Sequence, residues 1–105
     1  KGDFDQAIAD YTQALKLNPQ DPHFYNNRGF VYVKKGELEK GISDFSKAIE
    51  LKPDFAEAYH NRGVAYYKLE KKTQAIKDLE IAALLGSSGA REWLRQKEFN
   101  DKERR

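Results

Sequence analysis

The sequence predicts an all-α fold built from antiparallel helix pairs, and three observations support this. A shift of 34 residues brings much of the chain into register with itself. Apolar residues recur within each unit at the spacing of amphipathic helices. Pro19 and Pro53 stand at the same place in successive units, where they end the preceding helices. Together these patterns indicate one domain of stacked helical repeats over residues 1–105.

The repeat is strongest between residues 22–55 and 56–89, which we interpret as two complete helix pairs. The same shift aligns their second halves, where Asp44 meets Asp78, and it continues upstream over residues 1–21. Those first residues are therefore predicted to be the second helix of a truncated repeat. In the first halves, five identities fall within eight positions: Tyr25 with Tyr59, Asn27 with Asn61, Arg28 with Arg62, Gly29 with Gly63 and Tyr32 with Tyr66.

The predicted helices have recognisable start and turn signals. Asp21 before Pro22 predicts a helix N-terminus with proline at its first position. Asp54 and Glu57 have the spacing of a capping box for the next pair. Gly36 predicts the tight turn between the two helices of the first complete pair.

Two glycines are predicted to lie inside helices. Gly29 and Gly63 each cost about 1 kcal/mol there relative to alanine, so a gain elsewhere must offset them. We expect that gain to be close contact between helices, with aromatic rings filling the space opposite.

The first predicted helix has an apolar stripe of Phe4, Ile8, Tyr11 and Leu15, whose partner helix within the repeat is missing. An exposed stripe favours association, so we expect a second copy, a swapped helix or an upstream segment to cover it. A homo-oligomer through this helix is one possible outcome. The chain contains no methionine, even at position 1, which indicates a fragment or a processed product.

These residues resemble the tetratricopeptide repeat family, whose pattern places an aromatic, glycine, tyrosine, alanine and proline at fixed positions. The first complete unit departs from it at Gly41, where alanine is usual, and the second at Leu79 and Ser87. The resemblance implies a right-handed α-solenoid that binds a protein or peptide. In the first complete unit it rests on Tyr25, Gly29, Tyr32, Phe45, Ala48 and Pro53.

Residues 90–105 begin in phase with the repeats, because Trp93 stands where Tyr25 and Tyr59 stand in theirs. Lys97 then replaces the glycine, and most of the following residues are charged. This pattern predicts a C-terminal capping helix with one face in water.

Composition narrows the class of protein. The formal net charge is +2, too small for a general attraction to phosphate backbones. Cysteine is absent, and no apolar run is long enough for a membrane span. The N-terminus lacks the basic-then-apolar pattern of a signal peptide. The cytoplasm is the default localisation.

No pattern of catalysis is present in the sequence. His23 and His60 have no cysteine or second histidine at metal-ligand spacing, and the carboxylates follow helix surfaces. Phosphate-binding loops, nucleophile elbows and zinc-protease helices are also absent. We therefore expect no cofactor, no metal and no enzyme activity.

In the family that the chain resembles, the first helix of each pair lines a concave groove. Amide, apolar and basic side chains mix there, a combination that suits an acidic peptide. An alternative is that Phe30, Val33 and Tyr67 pack between repeats. The predicted groove residues are His23, Asn26, Asn27, Phe30, Val33, Lys34, Glu57, His60, Asn61, Val64, Tyr67 and Lys68, joined by Arg91 and Arg95 of the capping helix.

Some members of the family hold a ligand carboxylate in a clamp of five residues, and the resemblance places three of them here. Asn61 matches the asparagine of the middle inner helix, and Arg91 and Arg95 match the two basic residues of the next one. The positions of the remaining two are taken by Asn26 and Phe30, and Phe30 cannot donate a hydrogen bond.

Two other function classes stay open at the level of sequence. The chain could be a structural or self-association segment of a longer array. Nucleic-acid binding is the weakest alternative, because the basic residues of the last helix are interleaved with Glu92, Glu98, Asp101 and Glu103. Those basic residues are Arg91, Arg95, Lys97, Lys102, Arg104 and Arg105.

Overall fold

The computed structural model describes residues 3–104, which form six α-helices and no strand. This confirms the predicted all-α fold. Principal extents of 51 × 29 × 19 Å show an elongated stack. The helices are α1 (Phe4–Leu17), α2 (Pro22–Lys35), α3 (Leu38–Leu51), α4 (Ala56–Lys68), α5 (Lys72–Leu84) and α6 (Ser88–Glu103).

The start of α2 and the turn after it follow the sequence signals. The Asp21 carboxylate accepts a hydrogen bond from the backbone N–H of His23 at 2.9 Å, and Pro22 opens the helix. Gly36 ends α2 with a φ of 97°, a left-handed conformation that glycine adopts without strain. Both predictions are confirmed.

The predicted capping box at α4 is wrong. Phe55 is the N-cap residue of α4, and it makes no side-chain cap bond. The Asp54 carboxylate instead accepts a bond from Lys52 Nζ at 3.1 Å. Helix α6 starts earlier than residue 90, because the Ser87 hydroxyl accepts the N–H of Ala90 and caps the helix.

Glycine permits close contact inside both complete pairs, as predicted. A methyl group on Gly29 would lie 2.8 Å from a ring carbon of Phe45. One on Gly63 would lie 2.8 Å from Cγ of Leu79. Phe45 and Leu79 are fully buried, so this apolar contact offsets the helix propensity that glycine loses.

A bidentate ion pair also repeats in the two pairs. Arg28 donates to both carboxylate oxygens of Asp44 at 2.8 Å, and its remaining nitrogen reaches the Thr12 hydroxyl at 3.0 Å. Arg28, Asp44 and Thr12 thereby join three consecutive helices, α1 to α3. In the next unit Arg62, Asp78 and Ser46 repeat the arrangement at 2.7–3.1 Å.

The apolar stripe of α1 is less exposed than the sequence predicts. Leu15 is buried, and Phe4, Ile8 and Tyr11 are partly buried. Helix α2 packs along this side of α1, with the Phe24 ring 6.4 Å from that of Tyr11. Helix α2 therefore covers part of the stripe, and the expectation that a second copy, a swapped helix or an upstream segment covers the rest stays a prediction.

Candidate functional site

Helices α2, α4 and α6 lie side by side and form a layer that we call the inner layer. Helix α2 packs on α4, and the Tyr67 ring of α4 meets the Trp93 ring of α6 edge-on at 5.0 Å. Helix α3 packs between α2 and α4, and α5 packs between α4 and α6, whereas α1 packs against α2. All predicted groove residues belong to the inner layer.

The joint between α2 and α4 depends on an amide pair. Asn26 is only 1% exposed, and its Oδ1 accepts a bond from Asn61 Nδ2 at 3.1 Å. Asn26 is thus an interior residue, and the prediction that it contacts a ligand is wrong. The adjacent Asn27 is exposed. His23 is also exposed, with its ring edge-on to Phe55 at 5.0 Å.

The joint between α4 and α6 is built differently. His60 occupies the position in α4 that Asn26 occupies in α2, and its ring packs against Gly89. A methyl group on Gly89 would lie 2.8 Å from Cε1 of His60, so the absent side chain makes room for the ring. Burial lowers the pKa of His60, while the nearby Glu57 carboxylate acts in the opposite direction.

The apolar residues of the inner layer divide into two groups. Val33 packs against Gly41, and Val64 packs against the core cluster around Leu79. Phe30 and Tyr67 keep 46% and 36% of their surface exposed. The Phe30 ring therefore remains open to a ligand. The alternative of packing between repeats fits Val33, and it also fits Tyr67, whose partly exposed ring contacts Trp93.

Basic side chains outnumber acidic ones among the predicted groove residues. Lys34 and Lys68 are exposed, and Lys34 Nζ lies 5.3 Å from the centre of the Phe30 ring. Arg91 is exposed as well. Glu57 is the acidic residue of the predicted set. This excess favours ligands with negative charge.

Arg95 has an acidic neighbour on its own helix. Its Nη2 lies 2.6 Å from Oε1 of Glu92, and the two side chains are 73% and 61% exposed. An ion pair in water contributes little stability, so a ligand carboxylate can replace Glu92 at small cost. Arg91 and Arg95 lie one turn apart on α6, with Arg95 in the position that Asn61 holds in α4.

The last helix offers no uninterrupted basic stripe in its described part. Arg95 pairs with Glu92, and Lys97 Nζ lies 2.7 Å from Asp101. Arg105, which the sequence places in that stripe, lies outside the described residues.

The described residues also contain no cluster of three or more His, Asp or Glu side chains that could hold a metal ion. None of the helices over residues 3–104 has the length and hydropathy that a membrane crossing requires.

Comparison with known proteins gives one family and several similar structures. A family model for the TPR repeat matches residues 1–36 and 31–70. The first TPR of Spaghetti (RPAP3), solved with the HSP90 peptide SRMEEVD, is 30% identical with a TM-score of 0.83, over 89% of this chain and 75% of that one.

Two further structures resemble this chain closely in shape. The first TPR domain of human RPAP3, solved by NMR, is 30% identical with a TM-score of 0.85, over 96% of this chain and 83% of that one. The Sgt2 TPR domain from Aspergillus fumigatus is 26% identical with a TM-score of 0.85, over 95% and 69% of the two chains.

Proposed function

This chain belongs to the tetratricopeptide repeat family. We propose that it is a protein-interaction module whose inner layer binds the C-terminal end of an acidic peptide. The excess of exposed basic side chains among the predicted groove residues carries this proposal: Lys34, Lys68, Arg91 and Arg95 are exposed there, against the acidic Glu57. A module of this kind binds a ligand without transforming it, and we assign it no catalytic role.

The peptide in the similar structure supports the choice of ligand. SRMEEVD has two glutamates and ends in aspartate, and it is bound by the first TPR of Spaghetti. A second domain of the same protein, also 30% identical to this chain, is solved with the same peptide. A ligand with this pattern of charge fits Arg91 and Arg95, whose guanidinium groups can form charge-assisted bonds with carboxylates.

Asn61 is the neutral member of the proposed carboxylate site. One hydrogen of its side-chain amide is used by Asn26, which fixes the orientation of the group, and the second remains for a ligand. A fixed donor loses less conformational entropy on binding than a free one. Asn26 therefore supports the site as a positioning residue.

Phe30 gives the inner layer an apolar contact for the ligand, which a polar residue at this position would not provide. Its exposed ring, with Lys34 beside it, offers apolar contact next to a positive charge. We therefore expect the ligand to carry an apolar side chain before its terminal acidic residues, which the Met of SRMEEVD provides.

Titration of the chain with SRMEEVD and with its C-terminally amidated twin tests the proposal. We expect amidation and Arg95→Ala each to weaken binding about tenfold, the effect of roughly 1.4 kcal/mol from a lost charge-assisted bond. Lys47→Ala is the matched control, since Lys47 is a surface cation on α3 that pairs with Glu50.

The titration tests recognition of the terminal carboxylate separately from recognition of the acidic peptide. Equal affinity for the free and amidated peptides would exclude recognition of the terminal carboxylate but not the acidic peptide. Absence of binding by either peptide at millimolar concentration would exclude this class of ligand.

A further inference from the structure

A pocket of about 290 Å³ opens where α3 meets the end of α4 and the turn that follows it. We call it the α3–α4 pocket. Three of its lining side chains are aliphatic or aromatic, one is a serine, and the remaining two carry opposite charges. None of them belongs to the predicted groove of the inner layer. They are Glu39, Ile42, Ser43, Tyr66, Leu69 and Lys71.

The equivalent joint, between α1 and the end of α2, is bridged by a lysine. Lys35 Nζ lies 2.7 Å from Oδ1 of Asp5 on α1. The same nitrogen lies 3.2 Å from Oε2 of Glu37, the residue that precedes α3. A single cation thus pairs with the carboxylates on both sides of this joint.

The α3–α4 pocket lacks this bridge. Leu69 stands in place of Lys35, and its side chain has no charge to offer Glu39. Lys71 stands in place of Glu37. Glu39 and Lys71 are exposed, and neither forms an ion pair with another residue between 3 and 104. The pocket therefore combines open apolar surface with two unpaired charges of opposite sign.

The pocket is large enough for one bulky side chain. An apolar cavity of about 150 Å³ can hold a benzene molecule, so this one accommodates a leucine or phenylalanine side chain. Ile42, Tyr66 and Leu69 are only partly buried, and their remaining apolar surface would leave water when such a side chain enters.

We propose that the α3–α4 pocket docks a segment of another protein, one that inserts a large apolar side chain between a basic and an acidic residue. The basic residue pairs with Glu39, which stands in place of Asp5, as Lys35 pairs with Asp5 in the first unit. The acidic residue pairs with Lys71. Complementary charges on both sides set the register of the segment and disfavour segments with charge of one sign.

A second copy of the chain fits this pocket less well. Phe99 of α6 is 55% exposed, with Arg95 one turn before it and Glu103 one turn after it. Arg95, however, already pairs with Glu92 at 2.6 Å. A contact between α6 of one copy and the pocket of the next would also be head-to-tail, so two copies would leave one pocket and one α6 unused.

Titration with short blocked peptides tests the proposal. The peptide KSFSE, acetylated and amidated at its ends, presents its lysine, phenylalanine and glutamate on one side of an extended backbone. KSASE lacks the apolar side chain, and ASFSA lacks both charges. The NMR amide shifts of Ser43 and Leu69 report binding at the pocket. We expect KSFSE to bind at millimolar concentration and each control peptide to bind about tenfold more weakly.

Variants of the chain test the same contacts from the other side. Leu69→Lys reproduces the bridge of the first unit, so the new ammonium should pair with Glu39, occupy the pocket and weaken KSFSE binding about tenfold or more. Glu39→Ala should weaken it about threefold, the effect of losing an exposed ion pair. Asp5→Ala, the change at the equivalent position of α1, is the matched control and should leave it unchanged. Thermal unfolding verifies that each variant folds.

Three results would overturn the proposal. Equal affinity for KSFSE and KSASE, or undiminished KSFSE binding by Leu69→Lys, would show that the pocket does not take the apolar side chain. Unchanged amide shifts of Ser43 and Leu69 with KSFSE at millimolar concentration would exclude this class of partner. Reversible association of the chain in sedimentation that Phe99→Ala and Leu69→Lys both abolish would make a second copy the occupant. Binding of SRMEEVD to the inner layer should be unchanged by Leu69→Lys, so this test is independent of the proposed function.

Discussion

The two complete helix pairs, α2–α3 and α4–α5, have the same interior and different inner surfaces. Both interiors contain an arginine forked onto an aspartate and a glycine facing a buried apolar side chain. On the inner layer, by contrast, the pairs differ at equivalent positions, with Phe30 against Val64 and Val33 against Tyr67. Assembly is thus repeated, whereas the surface that meets a ligand varies along the stack.

This difference separates stability from ligand choice. A repeated interior lets one unit stack on the next in the same way, because both complete pairs contain the same ion pair and the same glycine contact. The exposed residues of the inner layer take no part in these contacts, so they can differ from one unit to the next.

The largest expected effect is loss of the repeated ion pair. Asp44→Ala and Asp78→Ala each leave a mostly buried arginine without its carboxylate, which should lower the free energy of unfolding by about 3 kcal/mol. Asp10→Ala, at the equivalent exposed position, should change it by less than about 0.5 kcal/mol. Urea unfolding of the three variants measures this, and unequal losses for Asp44 and Asp78 would disprove equivalent interiors.

The glycine contacts come next. Gly29→Ala puts a methyl group 2.8 and 2.9 Å from two ring carbons of Phe45, whereas Gly63→Ala meets one carbon of Leu79 below 3.0 Å. We expect net losses of about 2 kcal/mol for Gly29→Ala and about half that for Gly63→Ala.

The Phe45→Leu background provides the control for the glycine prediction. A leucine can move away from the new methyl group where the flat ring cannot. The double variant Gly29→Ala with Phe45→Leu should therefore lose less stability than the sum of its single changes. Additive losses would show that the ring is not the cause.

Repetition explains how much of this fold could be predicted. The period of 34 residues identifies the helix pairs and the turn at Gly36, because the signals recur at fixed spacing. The arginine–aspartate pair was visible in the same way: Arg28 and Asp44 recur together as Arg62 and Asp78. Recurrence alone, however, does not show that the two residues contact each other.

The inner layer was harder to predict, because helical periodicity does not reveal where a neighbouring helix covers a face. Asn26 and Asn27 are adjacent and identical in chemistry, yet the first is buried and the second exposed. Which of them meets α4 depends on how the helices cross. The same geometry buries Leu15 of α1, and periodicity alone does not identify α2 as the helix that packs along this side of α1.

The amide pair gives a smaller effect. Asn61→Ala removes the donor to the buried Asn26 oxygen and should cost about 1 kcal/mol of unfolding free energy. Asn27→Ala, the exposed neighbour, should stay within about 0.5 kcal/mol of the original chain. Equal effects of the two substitutions in thermal unfolding would contradict the assignment of Asn26 to the joint.

The smallest expected effect is a pH dependence of the unfolding free energy that arises at the α4–α6 joint. Burial lowers the pKa of His60 below its ordinary value of 6.5, so the unfolded chain binds the proton more readily than the folded one. The contribution of His60 to stability is therefore complete above pH 6.5 and is lost as the pH falls through the folded-state pKa. Urea midpoints between pH 7.5 and 5 should fall more for the original chain than for His60→Asn, which carries the residue found at the equivalent position of α2. If the urea midpoints of both chains fall equally with pH, His60 is protonated as easily in the folded chain as in the unfolded one. Its packing against Gly89 then does not exclude solvent.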